Sequence, residues 1–502
     1  MIKLSFSKSC IFLKLLQAEV FIFLRRRQDR APLFEALVRH NAKNPAGFHI
    51  PGHRQGQALP PELGERAIFA FDLTELPGLD DLHNPHGPIA ESQALAAEIY
   101  GADRSFFLVN GTSVGIQALL TAQAGNREVI VPRNVHRSVL GGLVIAGADP
   151  VYVLPEIMPG FEVDCGVPPL RIRQALEGHP GAAAVLAVCP NFYGVLCDLD
   201  GQASAAHEAD KPVLVDEAHG AHLRFHPGLP EDAMAAGADA AVQSTHKLGG
   251  SLGQSSILHL KGEIVDSDAV AAALRLLQTT SPSYLLMVSL DLARRQLAVQ
   301  GEYLLDKTLA LSRYTRERLA GIKGLRVLTE ENLPEGFLRL DPTKLVISVR
   351  GLGLTGFQVS GLLARRYHVF VEMADACNIV AFVSIGSTRE ECDALASALE
   401  DIAARDKLPA AAVLPGAPAG FKKRMKPREA WFARSRQVPL AEARGRISAE
   451  TVAVYPPGIP AVNQGEEITA EIHEYLTLVS RMRLPCQGMS DPALKSIKIV
   501  IE

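Results

Sequence analysis

A chain of 502 residues is too long for a single compact core and implies about three domain-sized units. Hydrophobic residues make up 47% and charged residues 21%, an ordinary globular composition, and a formal net charge of −4 excludes a generally basic, nucleic-acid-binding chain. Seven scattered cysteines without a Cys-x-x-Cys pair point to reduced thiols in a cytoplasmic protein, against a disulfide frame or a zinc site.

Residues 1–27 read as an N-terminal extension. The stretch MIKLSFSKSCIFLKLLQAEVFIFL is apolar, but Lys14 and Glu19 interrupt it. Arg25, Arg26 and Arg27 follow Leu24 where a cleavage site would need small residues. A loosely attached helix, or an extension from a misplaced start codon, fits better than a signal or anchor. No other stretch is long and apolar enough to cross a bilayer.

Residues 28–290 predict a large α/β domain. Candidate strands are Ser105–Val109, Glu128–Val131, Pro150–Val153, Ala183–Val188, Pro212–Val215, Ala240–Val242 and Ser256–Leu260. Several are apolar throughout, as parallel strands covered on both faces require. Helical stretches such as Ser113–Ala124 and Ser138–Ala146 alternate with them, so the sheet is expected to be mostly parallel. Residues 291–407 predict a linking helix and a small α+β domain. The long helix spans Leu290–Ile322, with strands at Leu345–Val349, Val369–Met373 and Ile379–Ile385 and helices at Gly356–Tyr367 and Arg389–Arg405. The Ala-, Pro- and Gly-rich Leu408–Gly420 reads as a linker opening the last unit, 408–502, which carries basic Lys422–Arg428 and turn-rich Tyr455–Pro460.

Four motifs carry chemistry. Val213–Gly220 (VLVDEAHG) places Asp216 at the C-terminal end of a buried strand, the edge where open α/β sheets bind ligands. Such an acid can hold a magnesium ion, a ribose hydroxyl or a protonated pyridine nitrogen, or simply cap the next helix. Further on, Gln243-Ser244-Thr245-His246-Lys247-Leu248-Gly249-Gly250 puts a lysine after a strand, among hydroxyls and before paired glycines. That is an unusual setting for a solvated surface lysine, and it suits an amine whose proton affinity burial or a nearby cation lowers. Acid and lysine together are what pyridoxal 5′-phosphate (PLP) chemistry needs: a protonated ring nitrogen and a Schiff-base amine. In Leu108–Gly115 a strand runs into Gly111, Thr112 and Ser113 at a helix start, which offers N–H groups and hydroxyls to a phosphate, though an ordinary N-capped helix looks the same. His136, in Arg133–Ser138 after another strand, can lie against an aromatic cofactor, although a lone histidine is more often structural.

With these motifs in that chain order, the sequence from about Pro32 to the C-terminus resembles the bacterial Orn/Lys/Arg decarboxylases, PLP-dependent enzymes of fold type I. Phe48–His53 (FHIPGH), Asp72–His83 (DLTELPGLDDLH), Thr279–Tyr284 (TTSPSY) and Tyr455–Pro460 (YPPGIP) carry the likeness further. By itself FHIPGH reads as a loop whose histidine pair lacks a third metal ligand, so no metal is expected.

The resemblance implies an aspartate-aminotransferase-like large domain and smaller α+β C-terminal domains, in a compact subgroup without an N-terminal receiver-like domain. It implies Lys247 as the Schiff-base lysine, Asp216 as partner of the pyridine nitrogen and His136 as the stacking histidine. Thr112, Ser113, Ser244 and His246 become phosphate ligands beside the Gly111 backbone, and His219 lies near the phenolic oxygen. The implied reaction is α-decarboxylation of a basic amino acid, arginine first, then lysine or ornithine, with Lys247 or His246 returning a proton to Cα. Aminotransfer, β-elimination or a non-catalytic PLP-binding homologue are the alternatives. A homodimer or larger homo-oligomer with sites at the subunit boundary is implied, so Thr279, Thr280 and Ser281 either serve a neighbour's site or cap the long helix. No membrane or nucleic-acid partner is expected. For the cationic substrate end the candidate acids are Glu75, Asp80, Asp81 and Glu450, each of which reads at least as readily as a surface acid or a helix cap. After YPPGIP, where the family usually continues with a Pro-Gly-Glu step, the sequence reads Ala461-Val462-Asn463-Gln464-Gly465-Glu466, and Val454 stands where a proline commonly precedes the tyrosine.

Overall fold

The seven apolar runs expected as strands join one sheet in the computed structural model, which describes residues 27–63, 67–334, 339–405, 418, 420–454 and 459–501. These are β1 (Arg104–Leu108), β2 (Glu128–Pro132), β3 (Asp149–Val153), β4 (Val185–Val188), β5 (Val213–Asp216), β6 (Ala240–Gln243) and β7 (Ser256–Leu260), in the spatial order β1-β7-β6-β5-β4-β2-β3. From β6 to β3 every pairing is parallel, whereas β7 runs antiparallel to both β6 and β1. Residues 1–26, most of the 408–420 linker and residues 455–458 of YPPGIP lie outside the described residues.

Side-chain alternation explains why the strands are apolar throughout. Leu186, Leu214 and Val242 pack on one face with Ile116, Leu120, Val139 and Leu143, while Val185, Val213, Val215 and Ala241 pack on the other with Ile172, Leu176 and Ala206. The flanking helices include α1 (Pro88–Tyr100), α2 (Gly111–Gln123) and α3 (Arg137–Ala146). The 37-residue α4 (Tyr284–Ala320) starts six residues before the expected Leu290 and spans about 55 Å at 1.5 Å per residue. Its Tyr284, Met287 and Leu290 pack against Leu33, Ile89 and Phe107, and its far end places Leu319 in the core of the next unit.

That unit pairs β8 (Lys344–Ser348) with β9 (Asn378–Phe382) antiparallel, under α5 (Gly356–Leu362) and α6 (Arg389–Arg405). The expected strand over Val369–Met373 is absent except for a ladder at Met373–Ala374. His368 turns left-handed (φ +54°), and the chain runs along the edge with Phe370 80% exposed and Val369 and Val371 half-buried against the core of this unit, so the run packs without forming a ladder before Met373. Beyond residue 420, small antiparallel sheets and α7 (Ala470–Met482) enclose Val452, Val462, Ile472, Leu476 and Ile497.

Candidate active site

Because β1, β2, β4, β5 and β6 point the same way, the segments that follow them meet at one sheet edge. Asp216 ends β5 and is buried, with Ala218 N–H donating to Oδ1 at 3.2 Å. The same alternation turns Glu217 away, to accept from Ala233 N–H and Gln243 Nε2 at 2.8 Å each. Lys247 lies one turn after β6, and its Nζ is 2.9 Å from His219 Nε2. Burial lowers the proton affinity of Lys247, opposed by the Asp216 and Glu372 carboxylates. His219 is held well below the usual histidine range by burial first, then by the charges of Lys344 and Lys247. A neutral His219 whose Nε2 accepts from Lys247 carries its proton on Nδ1, and Nδ1 is buried without a partner.

His136 is the N-cap of α3, where Nδ1 accepts from Ser138 N–H at 3.2 Å and lies 2.8 Å from Ser138 Oγ. Burial lowers its pKa, Asp216 opposes, and Lys247 adds to the lowering, so His136, Asp216 and Lys247 share one field. Opposite them, Thr112 Oγ1 is 2.6 Å from Ser244 Oγ and 3.1 Å from Ser256 Oγ. Gly111 opens α2 at φ +75°, a left-handed conformation that favours glycine, and Asn110 gives α2 no side-chain cap. The first N–H groups of α2 therefore stand beside a hydroxyl cluster, with Ser113 in the same turn. His246 Nδ1 lies 2.9 Å from Ser255 O, leaving Nε2 as its other ring nitrogen, and burial lowers its pKa, with Lys247 adding to the lowering and Glu372 opposing it.

This set of residues fits PLP. Asp216 is a buried acid with a single long backbone donor, Lys247 is an amine with lowered proton affinity, and hydroxyls plus an uncapped helix start suit a phosphate. Two buried polar atoms at the site, His219 Nδ1 and Thr245 Oγ1, have no partner among the described residues. Phe192 and Phe382 close the back, with ring centroids 4.8 Å and 5.8 Å from that of His219.

Three of the four acids named for the cationic substrate end are committed elsewhere. Asp80 Oδ2 accepts from Gly87, Ile89 and Ala90 N–H at 2.8, 3.0 and 3.3 Å and so caps α1. Asp81 accepts from His83 N–H at 2.8 Å. Glu450 accepts from Ser490 and Lys498 N–H at 2.8 and 2.9 Å. Glu75, exposed, bonds to Thr74. Ser283, not the 279–281 cluster, caps α4, by accepting from Leu286 N–H at 3.4 Å. Thr279, Thr280 and Ser281 are exposed beside the cradle, Thr279 N–H donating to Asn110 Oδ1 at 3.1 Å. In FHIPGH the two histidines diverge: His49 bonds to Ile50 O and His53 to Asp72.

Sequence reasoning missed two charged residues near Lys247. Glu372, from the stretch expected as a strand, acts electrostatically on Lys247, His246 and Lys344. Lys344 is fully buried at the start of β8, and the signal was a lysine heading the apolar run KLVIS.

Comparison with known proteins agrees with this geometry. The Orn/Lys/Arg decarboxylase major-domain profile matches residues 31–391, and the C-terminal-domain profile of the same family matches residues 418–491. The chain is 42% identical over 487 residues to an arginine decarboxylase of Bacillus subtilis, covering 95% of this chain and 99% of that one. It is 41% identical over 488 residues to an arginine decarboxylase of Halalkalibacterium halodurans, with the same coverage. Lysine decarboxylase A of Pseudomonas aeruginosa superposes with a TM-score of 0.79 at 22% identity, covering 94% of this chain and 80% of that one. The fold is thus that of fold-type-I PLP enzymes. Cradle, strand-end acid, histidine and lysine at one sheet edge, with matches along both parts of the chain, lead to one conclusion: this protein belongs to the Orn/Lys/Arg decarboxylase family of PLP-dependent enzymes.

Proposed function

We propose that the chain decarboxylates arginine, releasing CO₂ and agmatine, a polyamine precursor, with one proton taken up at the carbon that loses the carboxylate. The observation that carries the choice of arginine is the likeness, over 95% of the chain, to proteins named arginine decarboxylases. Bound PLP supplies the electron-withdrawing ring that makes loss of an amino acid's carboxylate feasible. Lys247 is the amine that would hold it. Asp216 would keep a proton on the ring nitrogen, and His136 would lie against the ring. The Gly111 backbone, Thr112, Ser113, Ser244 and His246 would hold the phosphate, with His219 near the phenolic oxygen.

The remaining work belongs to the protein. Phe192 and Phe382 keep water from the back of the site. Lys247, hydrogen-bonded to a neutral His219, is placed to carry a proton to the carbon, with His246 as the other candidate. Glu372 is the acid for the guanidinium of the substrate. A homodimer, or a larger assembly of such dimers, in the cytoplasm completes the reading, with Thr279, Thr280 and Ser281 serving a neighbour's site.

The test supplies the PLP-loaded protein with arginine, lysine and ornithine together and identifies products by mass spectrometry. Agmatine as the main product is expected. Cadaverine or putrescine would reassign the substrate, and keto acids would replace decarboxylation by aminotransfer.

A further inference from the structure

Behind the Lys247–His219 pair stands a second lysine, contributed by the other unit of the fold. Lys344 opens β8 with no exposed surface, and its Nζ donates to Asn191 O at 3.2 Å and lies 5.4 Å from the Phe382 ring centroid. Asn191 follows β4, so the contact joins the small domain to the large one. The space is committed to this side chain: a Cβ on Gly194, itself at φ +85°, would meet Lys344 Cδ at 2.9 Å.

Charged and titratable groups face Lys344 from every side. Asp341, three residues before it, lies 3.2 Å from His222 and accepts from Thr343 Oγ1 at 2.7 Å. Lys247 and Cys189 approach from the large domain and Glu372 from the small one. His219 feels Lys344 more strongly than it feels Lys247, His136 or His222. Burial brings Lys344 down to about 8, against the Asp341 carboxylate.

The hydrogen bond of Lys344 goes to a neutral carbonyl, and the opposing charge comes from Asp341 within the same buried cluster, so the ammonium is left to act on its other neighbours. The charge bears on His219, which is buried in contact with the Phe192 and Phe382 rings.

We propose that Lys344 is a positioning residue for the Lys247–His219 pair: its positive charge, held beside the Asp341 carboxylate, disfavours a proton on His219 and eases loss of the proton from the Lys247 nitrogen. The inference rests on Lys247 being the amine that holds PLP. It assigns a lysine of the small domain to the proton balance of a site built on the large one.

The experiment is a pH titration of the visible absorbance of the PLP-loaded protein, which reads ionisation at the Lys247 nitrogen without turnover. Removing a nearby positive charge favours the protonated form. Lys344→Met should therefore move the midpoint to higher pH by about half to one unit, roughly a three- to tenfold change in the ratio of the two forms at fixed pH. Lys344→Gln, which keeps a donor for Asn191 O, should shift it the same way and serves if the methionine variant does not fold. In a His219→Gln background the shift on replacing Lys344 should shrink. An unmoved midpoint in a folded Lys344 variant overturns the proposal, since a merely structural residue would alter thermal stability and leave the midpoint alone. A wild-type protein with no visible band would overturn the assignment of Lys247 itself, an outcome distinct from an unmoved midpoint.

Discussion

Arg133 and Glu466 form a bidentate ion pair between the segment that leads from β2 to His136 and the C-terminal unit. Nη2 donates to Oε2 at 2.8 Å and Nη1 to Oε1, and neither side chain is more than 2% exposed. The guanidinium lies 4.8 Å from the Tyr152 ring centroid and 4.5 Å from that of Phe421. Glu466 also accepts from Asn463 N–H at 2.8 Å, so the altered turn Asn463–Glu466 still delivers its acid to the junction. Gly465 makes that turn possible: it sits at φ +84°, where a Cβ would meet Met425 O at 2.4 Å.

Breaking this pair from one side leaves a buried guanidinium without its counter-charge. Glu466→Gln is expected to lower stability by about 3–5 kcal/mol in urea unfolding, and Arg133→Met combined with Glu466→Leu should recover much of the loss. A single variant as stable as the wild type would show that water reaches the junction.

A second expectation concerns the hydroxyl cluster. Thr112 Oγ1 touches both Ser244 and Ser256 at the start of α2. Thr112→Val keeps the shape and removes a donor to a charged phosphate, a bond worth about 1.5–3 kcal/mol. PLP should then dissociate with a Kd roughly ten- to a hundredfold higher, measured by equilibrium dialysis. Undiminished retention would place the phosphate elsewhere.

The sequence made this sheet edge legible because the pattern and the chemistry coincide. In VLVDEAHG the apolar run sets the strand, and its end fixes where Asp216 and His219 emerge. Ser256–Leu260 is bounded by glycine-containing turns and appears with the expected limits. What stayed hidden depends on partners distant in sequence. Asp80 stayed open between substrate acid and helix cap because the N–H groups it caps lie seven to ten residues later. Lys344 gains its meaning from Asn191, 153 residues earlier. Val369–Met373 misled because Val369 and Val371 pack on the core while Phe370 between them is exposed, the alternation of a strand without its ladder.

Asp164 gives a prediction in pH. Its Oδ1 accepts from Asn191 Nδ2 at 3.0 Å and from Asn134 Nδ2, and burial pushes its pKa up to about 6. The unfolded chain loses this proton near pH 3.9. Between about pH 4 and 6 the folded state therefore holds a proton that the unfolded state lacks, so stability falls as pH rises through that window. Two pH units of separation, at about 1.4 kcal/mol each, make the penalty roughly 3 kcal/mol above pH 6. Asp164→Asn keeps an acceptor for both amides without the charge. It should gain about 1–3 kcal/mol at pH 7 and almost nothing at pH 4, and a gain independent of pH would contradict the assignment.

Glu372 bears on the substrate. It is exposed, its N–H donates to Val380 O at 2.9 Å, and its carboxylate raises the proton affinity of Lys247, which places it within electrostatic reach of the reacting amine. Asp80 and Glu450 have their oxygens on backbone N–H groups, Asp81 has one there and Glu75 is bonded to Thr74, and of these acids and Glu372 it is Glu372, together with Asp216, that acts on Lys247, which makes Glu372 the better-placed acid for a guanidinium. A contact made equally in the bound substrate and in the transition state shows in KM and spares kcat. Glu372→Gln should therefore raise KM for arginine by about tenfold, with kcat changed less than about threefold. Binding of citrulline, which has arginine's length without its charge, should be nearly indifferent to the substitution. Equal weakening of citrulline and arginine would mean that Glu372 shapes the site without pairing with the guanidinium. A large fall in kcat would instead place its effect on Lys247.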